Sequence, residues 1–414
     1  MKDTIKTTKQ LLVIGGGAAG FFCAVNAARL CPGLRVTILE KSGKLLSKVR
    51  VSGGGRCNIT HACYDIEEMS RRYPRGRYFV RKAFHEFFTT DTIKWFTERG
   101  VAIKEEADGR MFPVSDSSQS VIDCLLKEAN RFGVAIRMQA EVKHLHKTGE
   151  HFELLLADQS VLHADFVCVA TGGYPKPGMF DWLRETGHTI EEPVPSLFTF
   201  NIPASSLNRL MGISVPDVKI KISSTRLEER GSVLITHWGL SGPAILRLSA
   251  WGARELARLQ WNFSIIIHWV PDLVEKMLQE QFQQFRREFG SQKLTSKSPL
   301  GLPARLWEYL AELAGIPAGT RWADLPSKEQ NKLIHVLVHD EYRVSGKTTF
   351  KEEFVTAGGI DLAGIEPHTM MSRRIPGLFF AGEVMDVDAI TGGYNFQHAW
   401  TSGFIAASTI ASMK

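Results

Sequence analysis

No stretch of the chain approaches the run of about eighteen apolar residues that a membrane-spanning helix needs, so no membrane span is expected. The first ten residues are polar and lack the apolar core of a secretory signal, so export is not expected either. Cysteine is sparse. Cys23, Cys31, Cys57, Cys63, Cys124 and Cys168 are scattered, several inside apolar segments, without zinc-like spacing. That excludes a disulfide framework and points to a reduced, cytoplasmic setting with no bound metal. Charge of one sign does not dominate: a net charge of +6 over 414 residues argues neither for nor against an anionic partner. A hydrophobic share of 44% is enough for a proper core, and the length implies two or three domains.

What the chain does have is glycine in ordered places. Leu11-Leu12-Val13-Ile14 reads as a buried parallel strand, followed by Gly15-Gly16-Gly17-Ala18-Ala19-Gly20 and an alanine-rich helix to about Arg29. Gly15, Gly17 and Gly20 fit G-x-G-x-x-G: a tight turn, a close approach of pyrophosphate to backbone, and close packing of helix on strand. Ala18 and Ala19 open the helix, whose unpaired N–H groups face the phosphates. A second strand, 34–39, ends in Glu40 beside Lys41, where a carboxylate accepting the hydroxyls of an adenosine ribose belongs. Together these predict a bound dinucleotide.

Further along, Ser52-Gly53-Gly54-Gly55-Arg56-Cys57-Asn58 cannot be the interior of a regular element and marks backbone held close to something. Residues 65–100 read as helical and carry Arg71, Arg72, Arg75, Arg77, Arg81 and Lys82. In the absence of a nucleic-acid motif, a solvated helical face is the expected reading and a nucleic-acid partner is not expected. Strands are predicted near 135–144, 151–156 and 165–170, the last ending in Thr171-Gly172-Gly173. From 191 the pattern changes to alternating stretches at 197–202, 217–223 and 231–236 and an apolar run at 261–270, read as antiparallel strands. Residues 271–338 read as amphipathic helices. The expected organisation is therefore α/β: a discontinuous Rossmann-like domain (1–190 and 350–414) interrupted by a β-rich domain (191–270 and 339–349) and a helical insert (271–338).

Near the C-terminus, Leu378 to Gly382 forms a strand-and-turn followed by Glu383 and Asp386, and Gly392-Gly393-Tyr394-Asn395 opens a final helix. This pairing with the N-terminal fingerprint points to FAD in extended form. Glu383, Asp386 and their backbone serve its ribityl-phosphate middle, and the helix N-terminus faces the flavin pyrimidine edge, which carries negative charge when reduced.

The chain resembles the bacterial HI-type flavoprotein family, the BaiN-like or aminoacetone oxidase-like NAD(P)/FAD-dependent oxidoreductases, to which a bile-acid reductase belongs. The stretches that carry the resemblance are Gly15–Gly20, Ser52–Asn58, Phe112–Asp116, Ala170–Gly173, Thr236–Pro243, Thr356–Ile360 and Gly382 through Gln397. They cover nearly the whole length. The resemblance implies a two-dinucleotide-fold flavoprotein with FAD held by those glycine turns, by Gly54, Gly55, Arg56, Cys57 and Asn58, and by Val142, Thr171, Gly172, Gly392, Gly393, Tyr394 and Asn395. The chain departs from the family pattern in a short loop after Gly173, in His61 where Asn is common, and in His398 where an aromatic is usual. These departures bear on substrate identity more than on flavin binding.

Cys57 and Cys63 lack the spacing and the activating His-Glu pair of a redox disulfide. His237 and Tyr394 are candidate proton donors, with a turn-fixing and a flavin-covering role as their respective structural alternatives. His335 and His339 share a helical face but lack the H-E-x-x-H arrangement, and read as surface histidines. The resulting expectation is a cytoplasmic FAD-dependent oxidoreductase acting on a small molecule, with NAD(P)H reducing an enone-like acceptor. The chain has no second G-x-G-x-x-G for a dedicated nicotinamide domain, which keeps an oxidase or dehydrogenase of an organic donor open. A flavin-bearing RNA-binding or RNA-modifying factor is the alternative from a different class.

Overall fold

Leu11 to Ile14 are buried because the strand they form, β1 (Gln10–Ile14), has a parallel neighbour on each side. Strands covered on both faces read as continuous apolar runs, and β1 does. Its neighbours are β2 (Arg35–Leu39) and β4 (Phe166–Val169); β3 (Ala135–Arg137) and β5 (Leu378–Phe380) complete a five-stranded parallel sheet in the order β5-β4-β1-β2-β3. Helix α1 (Ala18–Leu30) follows β1, and every residue from Ala19 to Ala28 is buried. A helix buried all round needs a second cover, and the C-terminal helix α3 (Tyr394–Ser412) supplies it. The two cross at Gly403, where an added Cβ would lie 2.7 Å from the Ala19 carbonyl oxygen.

The computed structural model describes residues 8–348 and 355–413. The chain divides into two units: residues up to 196 with those from 351, and residues 197–350. The first has Rossmann-type topology with small antiparallel sheets added to it. Ile190–Ser196 pairs antiparallel with Val355–Ile360, so the segment from 190 to 196 belongs to the first unit, a few residues beyond the expected boundary at 191.

Two stretches break where the sequence reading ran them together. The expected strand at 135–144 is β3 plus the separate strand Val142–Thr148, divided at Gln139, whose φ of +53° turns the chain out of the parallel sheet. The helical stretch 65–100 is three short helices, Ile66–Ser70, α2 (Arg77–Ala83) and Thr89–Thr97. Pro74 sits in the first interruption, where its missing N–H ends helical pairing.

The second unit is built on a seven-stranded sheet whose ladders are antiparallel. Alternation sets its inner face: Phe263, Ile265 and Ile267 are buried while their neighbours are not. The helices Glu275–Glu288, Ala304–Leu313 and Ser327–Val338 add Phe282, Trp307 and Leu337 to the same core, so sheet and helices share one interior. Among the described residues no helix is long and apolar enough to cross a membrane.

Candidate functional site

The three fingerprint glycines do three different jobs. An added Cβ at Gly15 would lie 2.3 Å from the Ala170 carbonyl oxygen, and one at Gly20 only 2.0 Å from that of Gly15; both close the strand–turn–helix packing. At Gly17 an added Cβ would meet nothing within 4 Å. Gly17 also caps α1 without any side-chain hydrogen bond, so the first amides of the helix, at Ala18, Ala19 and Gly20, are left to an outside partner. Beside this open end lies a cavity of about 650 Å³ lined by Gly15, Glu40, Lys41, Val142, Thr171 and Trp182, among others. Glu40 is fixed at its edge: Oε2 accepts from Gly16 N at 2.8 Å and Oε1 accepts from Ser42 N and Oγ at 2.8 and 2.7 Å. Oε1 is filled by its two bonds, and Oε2 keeps acceptor capacity for a ribose hydroxyl. Lys41 lies 5.2 Å from the centre of the Tyr174 ring.

The glycine run at 53–55 ends the helical segment Ser47–Gly55 in a left-handed path, and Cys57 continues it at φ +62°. At Gly54 and Gly55 an added Cβ would point into open space. The Arg56 guanidinium stacks 3.9 Å from the centre of the Phe112 ring, bonds Glu106 at 2.6 Å and donates from Nε to the Gly53 carbonyl at 3.3 Å. Cys57 is buried, and burial pushes its thiol up to about 12, which leaves no thiolate for redox chemistry. Asn58 holds the opposite wall. Its amide oxygen faces Gly393 N at 3.0 Å and its nitrogen faces Thr60 O at 2.9 Å.

Gly393, in left-handed conformation, caps α3 without a side-chain hydrogen bond, and its own amide faces the Asn58 amide oxygen. Tyr394 is buried and stacks on His61 at 4.6 Å between ring centres; its carbonyl accepts from the Tyr73 hydroxyl at 2.6 Å. Asn395 is engaged with the backbone, bonding Ala389 N and O at 2.9 and 3.0 Å, so it shapes the turn and its side chain does not face outward. Glu383 pairs with Lys48 and accepts from Thr356 N at 2.8 Å, against Gly172 and Gly173. Asp386 joins the same turn through its N–H, which donates to Ile360 O at 3.0 Å. Gly382 leaves room for Ala19, whose Cβ would lie 2.8 Å from an added Cβ there.

Two buried polar atoms beside these turns have no hydrogen-bond partner among the described residues, Thr356 Oγ1 and His398 Nδ1. The open end of α1, empty space at Gly17, a cavity next to Glu40 and the orphaned polar atoms fit an extended dinucleotide. The residues that would hold FAD are thus Gly17 to Gly20 and Glu40 at one end and the 54–58, 382–386 and 392–394 segments at the other.

The family described as HI0933-like protein Rossmann domain matches residues 9–409. The chain belongs to this HI0933-like family. It is accordingly an enzyme, a flavoprotein oxidoreductase on a Rossmann fold. Among its relatives, an Escherichia coli protein named ribosomal RNA dihydrouridine synthase is 32% identical over 414 residues, covering 97% of this chain and 98% of that one. A Clostridium scindens protein named 3-dehydro-bile acid delta(4,6)-reductase is 27% identical, covering 96% and 98%. Among solved structures, the 3-ketosteroid-delta4-(5alpha)-dehydrogenase of Rhodococcus jostii RHA1 shares the fold, with a TM-score of 0.52 at 13% identity, covering 99% of this chain and 98% of that one.

Within this HI0933-like chain, the remaining candidates belong to other elements, and some residues carried no sequence signal. His237 lies in the second unit, exposed at the tip of a turn closed by Thr236 and Gly239, its ring edge-on to Trp238 at 4.3 Å. His335 and His339 stack on each other, and His335 lies 3.6 Å from Glu275. Lys48 was missed, because its partner Glu383 lies 335 positions away in sequence. His61 was noted only as a departure from the family. Its Nδ1 donates to the Gly392 carbonyl at 3.0 Å, and desolvation lowers its pKa. His144 and Glu185, bonded at 2.8 Å on the rim of the adenosine-side cavity, carried no sequence signal.

Proposed function

We propose that the enzyme reduces a carbon–carbon double bond conjugated to a carbonyl, and that this bond is C5–C6 of a uracil base in ribosomal RNA. The observation that carries the reading is the end-to-end similarity to a ribosomal RNA dihydrouridine synthase, over 97% of the chain. The bile-acid relative supports the same chemistry, since its name also describes reduction of an unsaturated carbonyl system. The sequence reading expected an enone-like acceptor of small size; uracil keeps the enone and moves it onto a polymer.

FAD held there would supply hydride-transfer chemistry between a reduced donor, proposed to be NAD(P)H, and the electron-poor C6 of the base. The chain orients the partners and handles the charge. The positive, N-terminal end of the α3 dipole stabilises negative charge that develops next to it. Tyr394, held by the His61 stack and the Tyr73 hydroxyl, is the candidate donor of the proton to C5. His61 is held neutral by desolvation and serves as a support.

The test is incubation of the FAD-loaded protein with unmodified ribosomal RNA and NADH or NADPH, then nuclease digestion and mass spectrometry. Uridine gaining two hydrogens, only with reduced nicotinamide present, is the expected result. Oxidation of the donor by small enones with unchanged RNA would return the substrate to the small-molecule class. Peroxide as the only product would favour an oxidase.

A further inference from the structure

A second cavity, of about 400 Å³, lies on the first unit away from the glycine turns, between α2 and the 362–373 segment. Its walls combine three cations, Arg77, Lys82 and Arg373, with an apolar floor that includes Phe79, Ile365 and Pro367. Tyr78 forms part of the rim and is 68% exposed, an unusual position for a tyrosine ring. The guanidinium carbons of Arg77 and Arg81 lie 5.7 and 5.6 Å from the centre of that ring.

We propose that this groove binds a nucleotide of a single-stranded RNA substrate, the base stacking on Tyr78 and the backbone phosphates meeting Arg77, Lys82 and Arg373. The inference rests on the RNA reading of the function. Charge supports it. One carboxylate, Glu67, is shared by Arg71, Arg77 and Arg81, so the patch holds more positive than negative charge. Arg373 pairs with Glu366 at 2.7 Å, and Lys82 has no ion-pair partner among the described residues. Exposed pairs of this kind contribute little and exchange readily for phosphate. An exposed aromatic ring flanked by arginines suits unpaired bases, which stack without sequence preference.

The groove also connects physically to the flavin end of the cradle. Arg72 O accepts from Ile390 N at 3.0 Å, and the Tyr73 hydroxyl bonds the Tyr394 carbonyl. Gly76, just before α2, is so close to Val387 that an added Cβ would lie 2.6 Å from it. The turn 72–76 therefore abuts both the groove and the segment that opens α3. Arg75 takes no part in the surface: it is paired with the buried Asp388, which also accepts from Ser196 Oγ at 2.7 Å.

Binding of a fluorescently labelled, uridine-containing single-stranded oligoribonucleotide to the FAD-loaded protein tests the groove. Tyr78→Ala weakens binding about tenfold while Tyr78→Phe binds like the parent, because the ring face is retained. Lys82→Gln lowers the slope of log affinity against log salt by roughly 0.7, one phosphate contact. The flavin absorbance per protein reports that each variant is folded. Parent-like RNA affinity in Tyr78→Ala and a parent-like salt slope in Lys82→Gln, with ribosomal RNA still reduced by the parent, would overturn the groove and leave the function standing. A parent protein that neither binds nor reduces RNA would overturn the functional reading itself. Unchanged RNA binding with a raised KM for NADPH would assign the groove to the adenylate end of the donor and overturn the RNA proposal.

Discussion

At the scale of single residues, His398 shows burial overriding chemistry. It sits within α3, with Nδ1 unpartnered and Nε2 3.4 Å from the Gly382 carbonyl oxygen. Desolvation pushes its pKa down to about 4, so the folded protein holds it neutral. The unfolded chain takes up the proton first, near its ordinary value of 6.5. The stability owed to neutral His398 is therefore complete above 6.5 and is lost as pH falls towards 4, by at most about 1.4 kcal/mol per pH unit. His188, also pushed down to about 4, acts in the same direction. Asp340, raised to about 6 by burial, acts in the opposite one, because its folded form takes the proton first. A comparison between the parent and His398→Phe isolates one contribution from this sum. The melting temperature of the parent should drop further between pH 7 and pH 5 than that of the variant, and equal drops would show that His398 is solvated. Cys57 is the companion case: its spacing from Cys63 argued against a redox pair, and its buried, raised thiol supplies the physical reason.

At the scale of elements, the strand–turn–helix from Gln10 to Leu30 was legible almost residue by residue, because apolar continuity, glycine spacing and the position of Glu40 all depend on local geometry. What local pattern could not show is which glycine serves packing and which leaves room for a ligand. The structure separates them. Gly20→Ala drives a Cβ into the Gly15 carbonyl, whereas Gly17→Ala adds one where nothing stands. Gly17 already has φ −94° and ψ −170°, a conformation any residue adopts. We expect Gly20→Ala to lower the melting temperature of the apoprotein or prevent folding, at a cost of order 1–3 kcal/mol. Gly17→Ala should melt like the parent and yet purify with little flavin absorbance. If Gly17→Ala kept its full complement of FAD, the open end of α1 would not be the pyrophosphate site. The same limit of local pattern explains Asn395 and Arg56. Both stand inside glycine-rich segments that read as cofactor contacts, and both side chains have protein partners, which leaves their backbone for a cofactor. Pairings such as Lys48 with Glu383 join segments hundreds of residues apart, beyond the reach of any spacing argument.

At the scale of the whole molecule, the discontinuity of the first unit was legible from the return of glycine-rich, strand-then-helix character after 355, but its exact joint was not. Ile190–Ser196 carries two prolines and reads as a boundary, yet it forms a ladder with Val355–Ile360. Proline is tolerated there because this is a two-stranded sheet with register shifts, where missing donors cost little. That ladder has a consequence for autonomy. Ser196 and Val355 are directly paired, so the two residues that flank the stretch 197–354 lie at the separation of neighbouring strands, about 5 Å. A short hairpin turn can bridge such a gap. Ser196 is moreover tied to its own unit through Asp388, a bond that needs no residue of the inserted unit. We therefore expect a chain in which an Asn-Gly turn replaces residues 197–354 to fold, melt cooperatively and bind FAD, since every residue placed in the cradle lies outside the deleted stretch. Flavin fluorescence quenching and circular dichroism measure this directly. Retention of FAD together with loss of substrate reduction would assign the second unit to substrate handling, where His237 is its candidate contributor. A soluble, helical product unable to bind FAD would show instead that the cradle depends on the inserted unit.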